Sequence, residues 1–113
     1  MRINVQVGET VFHAVLEDNA AARALAEMLP LTLELDDYGG FEKVGSLGTG
    51  LPARDSRITT APGDIVLYNG SQIVMFYGSN TWSYTRLGRI EDLSGWEDAL
   101  GAGAVTVTLT MED

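Results

Sequence analysis

The sequence predicts a mainly β protein, a closed barrel or a sandwich of seven or eight short strands with two short helices. Apolar residues alternate with polar ones at the strand period of two along most of the chain, beginning with Ile3, Val5 and Val7 against Arg2, Asn4 and Gln6. Turn residues punctuate these runs, most sharply at Asn69-Gly70, a pair that tolerates the positive φ angles of a tight hairpin. Only two segments, around 19–29 and 94–100, depart from that period toward a helical one. An open sheet of so many strands would expose long edges, and closure removes them.

In chain order, Gly8-Glu9 turns the first strand into a second over Thr10 to Glu17, which reads as apolar on both faces. Asp18 or Asn19 caps a helix through about Leu29, with Ala21, Leu25, Met28 and Leu29 on one apolar face and Pro30 stopping the winding. That helix is expected to lie across the sheet. Leu31, Leu33 and Leu35 then form the buried face of a third strand, which Tyr38-Gly39-Gly40 ends. Residues 42–62 read as loop, apart from a short strand over Phe41 to Val44, because glycine and proline dominate them. A loop of that length has to be held down by something.

The segment Gly63 to Ile90 is the most informative. Ile65 and Leu67, then Ile73 and Met75, alternate on either side of the Asn69-Gly70 turn. A further strand follows from about Ser83 to Ile90, then a one- or two-turn helix at Ser94 to Leu100 and a last strand over Ala104 to Met111.

Composition narrows the functional classes. At 113 residues the chain is expected to be one domain, residues 1–113, that buries roughly two thirds of its unfolded surface. It has no cysteine, and the start of the chain alternates where an export signal would need an unbroken apolar run, so the expected location is cytoplasmic. No run approaches the roughly 20 apolar residues that span a bilayer, so no membrane partner is expected. Seven basic against sixteen acidic residues give a net charge of −9, and the basic ones are scattered along the sequence. Nucleic acid, which requires a clustered positive stripe, is therefore not an expected partner. The acidity serves solubility.

Chemistry-bearing motifs are few. The acidic pairs Asp36-Asp37, Glu91-Asp92 and Glu97-Asp98 lack metal-ligand spacing, and with a lone His13 no metal site and no cofactor are expected. His13 sits mid-strand beside Phe12 and Ala14, so a serine–histidine site is not expected either. The run Gly45 to Gly50 resembles a phosphate cradle only in composition, because Leu51-Pro52 follows where a helix would have to start. Asn69-Gly70-Ser71 is explained by its turn.

What remains is a group of aromatic and hydrogen-bonding residues around Tyr68, Gln72, Phe76, Tyr77, Asn80, Trp82, Tyr84 and Arg86. Four of the nine aromatics fall between residues 76 and 84, and alternation places Tyr84 and Arg86 on one face. Such a group is either the core and rim of a barrel or an apolar pocket with a few convergent polar groups. The candidate ligand-binding residues are Gln72, Phe76, Trp82, Tyr84 and Arg86. A third possibility is an oligomer interface, and the oligomeric state is left open.

Three landmarks carry a family resemblance: Leu29-Pro30-Leu31-Thr32-Leu33, Gly63-Asp64-Ile65 and Arg86-Leu87-Gly88-Arg89-Ile90. Their order and spacing over nearly the whole chain resemble the small prokaryotic proteins grouped as cyclophilin-like. The resemblance implies a closed eight-stranded barrel with a helix over each open end. The larger catalytic cyclophilins are peptidyl-prolyl isomerases, and Asn69-Gly70-Ser71-Gln72 is similar to their Asn-Gly-Ser-Gln turn, as Leu87-Gly88-Arg89-Ile90 is to their Phe-Gly-Lys-Val. Val74 falls where they place a pocket phenylalanine, Tyr84 near their pocket histidine, and Trp82 near their pocket tryptophan. Their catalytic arginine follows the first helix, where this chain has Leu31-Thr32-Leu33-Glu34-Leu35. Phe12-His13-Ala14 precedes the helix and does not replace it. The expectation is thus a binding module for a small molecule or peptide, without efficient catalysis. The alternative is an isomerase with a non-standard site in which Arg54, Arg57 or Arg86 substitutes.

Overall fold

The alternating segments become nine strands and two helices in the computed structural model, which describes residues Met1–Asp113. The strands are β1 (Arg2–Val7), β2 (Thr10–Leu16), β3 (Leu31–Tyr38), β4 (Glu42–Ser46), β5 (Ser56–Thr59), β6 (Asp64–Tyr68), β7 (Gln72–Phe76), β8 (Thr81–Ile90) and β9 (Val105–Met111). The helices are α1 (Ala20–Glu27) and α2 (Trp96–Leu100). Eight strands form an antiparallel ring in the order β2-β1-β9-β3-β4-β7-β6-β8, and β2 pairs with β8 to close it. The ninth strand, β5, adds to the first half of β8.

Closure depends on β8, which serves three neighbours. Ser56 to Thr59 pair with Tyr84 to Thr81, β6 pairs along Thr85 to Arg89, and Ala14 to Leu16 pair with Ile90 to Gly88. The β6 register shifts between Ile65 and Val66, whose partners are Gly88 and Arg86, so Leu87 is the extra residue of a bulge. At the seam the strands approach so closely that a Cβ on Gly88 would lie 2.4 Å from the Val15 carbonyl oxygen. The Asn69-Gly70 turn has φ of 54° and 76°, the positive pair that joins β6 to β7 with two residues.

The inward side chains of the ring fill the main core, including Ile3, Val5, Leu35, Ile65, Leu67, Ile73, Met75, Leu87, Val107 and Leu109. Ala21, Ala22 and Leu25 from α1 and Trp96 and Leu100 from α2 join the same core. Because α1 links the end of β2 to the start of β3, and α2 links the end of β8 to the start of β9, the antiparallel ring puts the helices at opposite openings. Asn19 caps α1, accepting from the Ala22 amide at 2.8 Å.

Two expectations need correction. The stretch 42–62 holds a second strand, β5, and its β4 runs to Ser46 rather than Val44, with the other twelve of its 21 residues outside strands. Its signal is weak because β4 buries Glu42 and Lys43 where apolar residues would be expected, while β5 has only Ile58 to bury and finds its partner in distant β8. The second strand is not apolar on both faces: Phe12, Ala14 and Leu16 are buried, whereas Val11 and His13 are exposed.

A second, smaller core lies outside the ring, where Val66, Val74, Phe76 and Tyr84 pack with Val44, Ile58 and Tyr68. They occupy the outward positions of strands whose inward positions fill the barrel. The segment from Leu47 to Pro62 covers them through Ile58, while its Leu47 and Leu51 pack against the main core. Leu47 and Leu51 donate backbone hydrogen bonds to Ser71 and Gly70 beside the hairpin turn, the Arg54 amide donates to Thr85 Oγ1, and Thr60 donates to the Asn80 carbonyl. These bonds are what hold the long connection down.

Candidate functional site

The outer core and its cover set the position of a cleft of about 640 Å³. One wall is the start of α1 with Glu17, Asp18 and Arg23, a second is the Pro52–Ser56 segment with Ile58, and the floor is Tyr84, Thr85 and Arg86 of β8. That volume lies within the range of about 300–1,000 Å³ typical of small-molecule sites. A second depression of about 390 Å³, lined by residues such as Gln6, Ala99 and Thr108, carries no charged side chain.

The geometry of the first cleft is held by hydrogen bonds on both sides. The Asn19 amide group donates to the Arg86 carbonyl at 2.8 Å while its oxygen caps α1, so one side chain ties the helix start to β8. On the opposite wall the Arg54 amide donates to Thr85 Oγ1 at 2.8 Å, and that hydroxyl donates to Asp55 at 2.7 Å. Thr85 is buried, so the relay fixes the backbone of the 52–56 segment.

Of the five candidate residues, the structure brings two to this cleft. Tyr84 is 3% exposed, with its hydroxyl accepting from Asn80 Nδ2 at 2.9 Å and its ring edge-on to Phe76 and Tyr68. Burial pushes its hydroxyl pKa up, and the Asn80 bond partly opposes that. Arg86 is half-exposed and places one guanidinium nitrogen 3.3 Å from the Asp64 carboxylate, which leaves most of its donors free. Phe76 is fully buried beneath Tyr84 and reaches no opening. Trp82 is 52% exposed and stands opposite Ile58 in the β5–β8 pair, outside the cleft lining. Gln72 is half-buried at the start of β7, opposite Tyr68 and Ser46. Val74 is also buried in the outer core, so this part of the barrel surface is packed with side chains.

From the sequence Arg54 is only one of three arginines that could serve a non-standard site, and Arg23 is not among them. No spacing rule links residues 23, 54 and 86, which meet only because the cover segment crosses β8 beside the start of α1. Two buried charged groups were missed as well. Glu42 is 6% exposed, and its pKa is raised from 4.5 to about 7, first by burial and then by the nearby Asp37 carboxylate. Lys43 points to the interior and is fully buried.

His13 is exposed and lies 3.3 Å from the Glu112 carboxylate. No three side chains among His, Asp and Glu converge as metal ligands. No helix is long and apolar enough to cross a membrane. What the cleft offers chemically is a largely apolar floor edge at Tyr84 and Ile58 next to guanidinium donors.

No curated protein matches this chain. A family model described as the cyclophilin-like family matches residues 5–112, nearly its whole length. The ring closed by β8, the two end-capping helices and this match agree, and the chain belongs to the cyclophilin-like family.

Proposed function

We propose that the protein is a binding module that takes a small molecule or a short peptide in the cleft beside Tyr84 and Arg86, without efficient catalysis. The observation that carries this reading is the cleft of about 640 Å³, with an apolar edge and an arginine whose donors are mostly unused. The candidate residues divide their work accordingly: Arg86 contacts the ligand, Tyr84 forms the floor, Phe76 supports it, and Trp82 and Gln72 flank the same outer face. Its setting in this reading is the cytoplasm, as its cysteine-free sequence suits. A library of metabolites and proline-containing peptides, screened by thermal shift and Trp fluorescence, tests it. The expected result is a ligand that raises the melting temperature of the wild type but not of Arg86→Ala. A library without a single stabilising member would sink the reading.

The isomerase alternative draws on one further feature, that Arg54 and Arg86 line the same cleft. An arginine beside an apolar wall is what donation to an imide nitrogen would require. The strand after α1, however, buries Leu33 and Leu35 where the resemblance places the catalytic arginine. Proline-isomerisation rates equal to buffer are the expected outcome; acceleration that disappears in Arg86→Ala would favour the alternative.

A further inference from the structure

We infer that the ligand of this cleft is an organic anion, a carboxylate or phosphate head on a compact apolar body, with the head held by Arg54 and Arg86; the inference rests on the binding reading above. The first support is the placement of charge. The chain carries −9 overall, yet three of its seven basic residues, Arg23, Arg54 and Arg86, line this one cleft against two acidic ones, Glu17 and Asp18. Among the lining residues the charge is 3 − 2 = +1, while just outside the lining Asp64 lies 3.3 Å from Arg86 and Asp55 accepts from Thr85. The cleft is thus richer in basic side chains than the rest of this acidic chain, and a concave site concentrates their field.

The second support is the state of each arginine. Arg54 pairs with no carboxylate, although sixteen acidic residues are present, and its backbone is held by the buried Thr85 hydroxyl at 2.8 Å. Arg86 makes one 3.3 Å contact with Asp64. Arg23 pairs with Asp18, whose side chain is 98% exposed, a contact of the kind that contributes little and yields readily. A guanidinium fork matches the two oxygens of a carboxylate or phosphate, so Arg54 and Arg86 can each bind the head in parallel hydrogen bonds. The amides of Ala20 and Ala21 open α1 on the cleft's rim without intrahelical acceptors, and they add to the same polarity.

The third support is the rest of the lining. Pro52, Ile58 and Tyr84 give an apolar surface beside the cations, which selects a ligand with a hydrophobic body over a bare inorganic ion.

The test compares N-acetylphenylalanine with its neutral carboxamide, alongside phenyl phosphate and inorganic phosphate, by NMR titration of the ¹⁵N-labelled protein. Shifts confined to residues 19–23, 52–58 and 84–86, with the carboxylate at least about tenfold tighter than the carboxamide, are expected. Arg54→Gln should abolish that preference. Arg89→Gln removes the same charge outside the cleft and should leave it intact. Phenyl phosphate binding more tightly than the carboxylate would assign a phosphate head, and the reverse a carboxylate head; either supports the proposal. Equal binding of carboxylate and carboxamide would overturn the anion while leaving the binding reading standing. Absence of cleft shifts with all four probes at millimolar concentration would also overturn it, and the library screen then decides the binding reading separately. A preference lost equally in Arg89→Gln would show bulk electrostatics and overturn the site.

Discussion

The Lys43 ammonium donates to the carbonyl oxygen of Gly101 at 2.9 Å, which puts a fully buried cation directly beneath the C-terminal end of α2. It also donates to the Gly103 carbonyl at 2.6 Å and lies 3.1 Å from the Asp37 carboxylate. Its three donors are thus all satisfied, and the Tyr77 ring stands 5.4 Å away. Lys43→Met leaves two carbonyls and a carboxylate without their partner, and denaturant unfolding should show a loss of about 3–5 kcal/mol. A loss under about 1 kcal/mol would mean that the ammonium does not fasten the α2–β9 connection.

Glu42 should make stability depend on pH in the neutral range. Its folded pKa of about 7 lies above its ordinary value of 4.5, so the folded state holds the proton more tightly than the unfolded chain. The associated stability is fully present below pH 4.5 and is lost as pH rises toward and through 7. Asp37, Glu91 and Asp92 act in the opposite sense, since partners hold their pKa values down and their contributions are lost as pH falls. The quantity to measure is therefore wild type minus Glu42→Gln. The wild type should fall by about 1–3 kcal/mol relative to the variant between pH 4.5 and 8. Parallel curves would place Glu42 in water.

Trp96 closes the α2 end of the barrel. Its side chain is buried, its ring stands edge-on to Phe12 at 5.0 Å, and its indole nitrogen donates to the Phe76 carbonyl at 2.8 Å. Trp96→Ala should cost about 3–5 kcal/mol, a large share of the stability of a domain this size. Trp96→Phe keeps the aromatic contact and loses the hydrogen bond, so a smaller loss of about 1–3 kcal/mol is expected. Equal losses in chemical denaturation would assign the whole effect to the hydrogen bond.

Gly88 tests the seam. Gly88→Ala directs a methyl group at the Val15 carbonyl and at the Leu16 Cα, 2.4 and 3.2 Å from the ideal Cβ position. Both are backbone atoms, so the strands must part. A loss of about 1–3 kcal/mol and faster hydrogen exchange at Glu17 and Glu91, whose amides bond to Leu87 and His13, are expected. Unchanged exchange would show that the seam yields without opening.

Much of the architecture was legible because it is local. Alternation in Ile3 to Val7, Leu31 to Leu35 and Val105 to Met111, the helix cap at Asn19 and the Asn69-Gly70 turn are each decided by neighbours within a few residues. Where burial depends on a distant partner, the pattern misled. Lys43 is inside because the Gly101 and Gly103 carbonyls accept its hydrogen bonds, and the short β5 exists because residues Thr81 to Tyr84 offer it an edge.

By itself the sequence determined a mainly β architecture, barrel or sandwich, since hydrophobic period and turn chemistry act over short spans, and the resemblance of its landmarks implied the closed cyclophilin-like barrel. The aromatic residues of the 76–84 stretch were visible too, but whether each faced solvent or core was not. Tertiary structure alone decided that Phe76 is sealed beneath Tyr84, that Trp82 stands outside the cleft, and that Arg23, Arg54 and Arg86 share it. The reason is physical: side-chain direction follows from the local backbone, but convergence follows from closure of the ring and from the path of the 47–62 segment over its outer face.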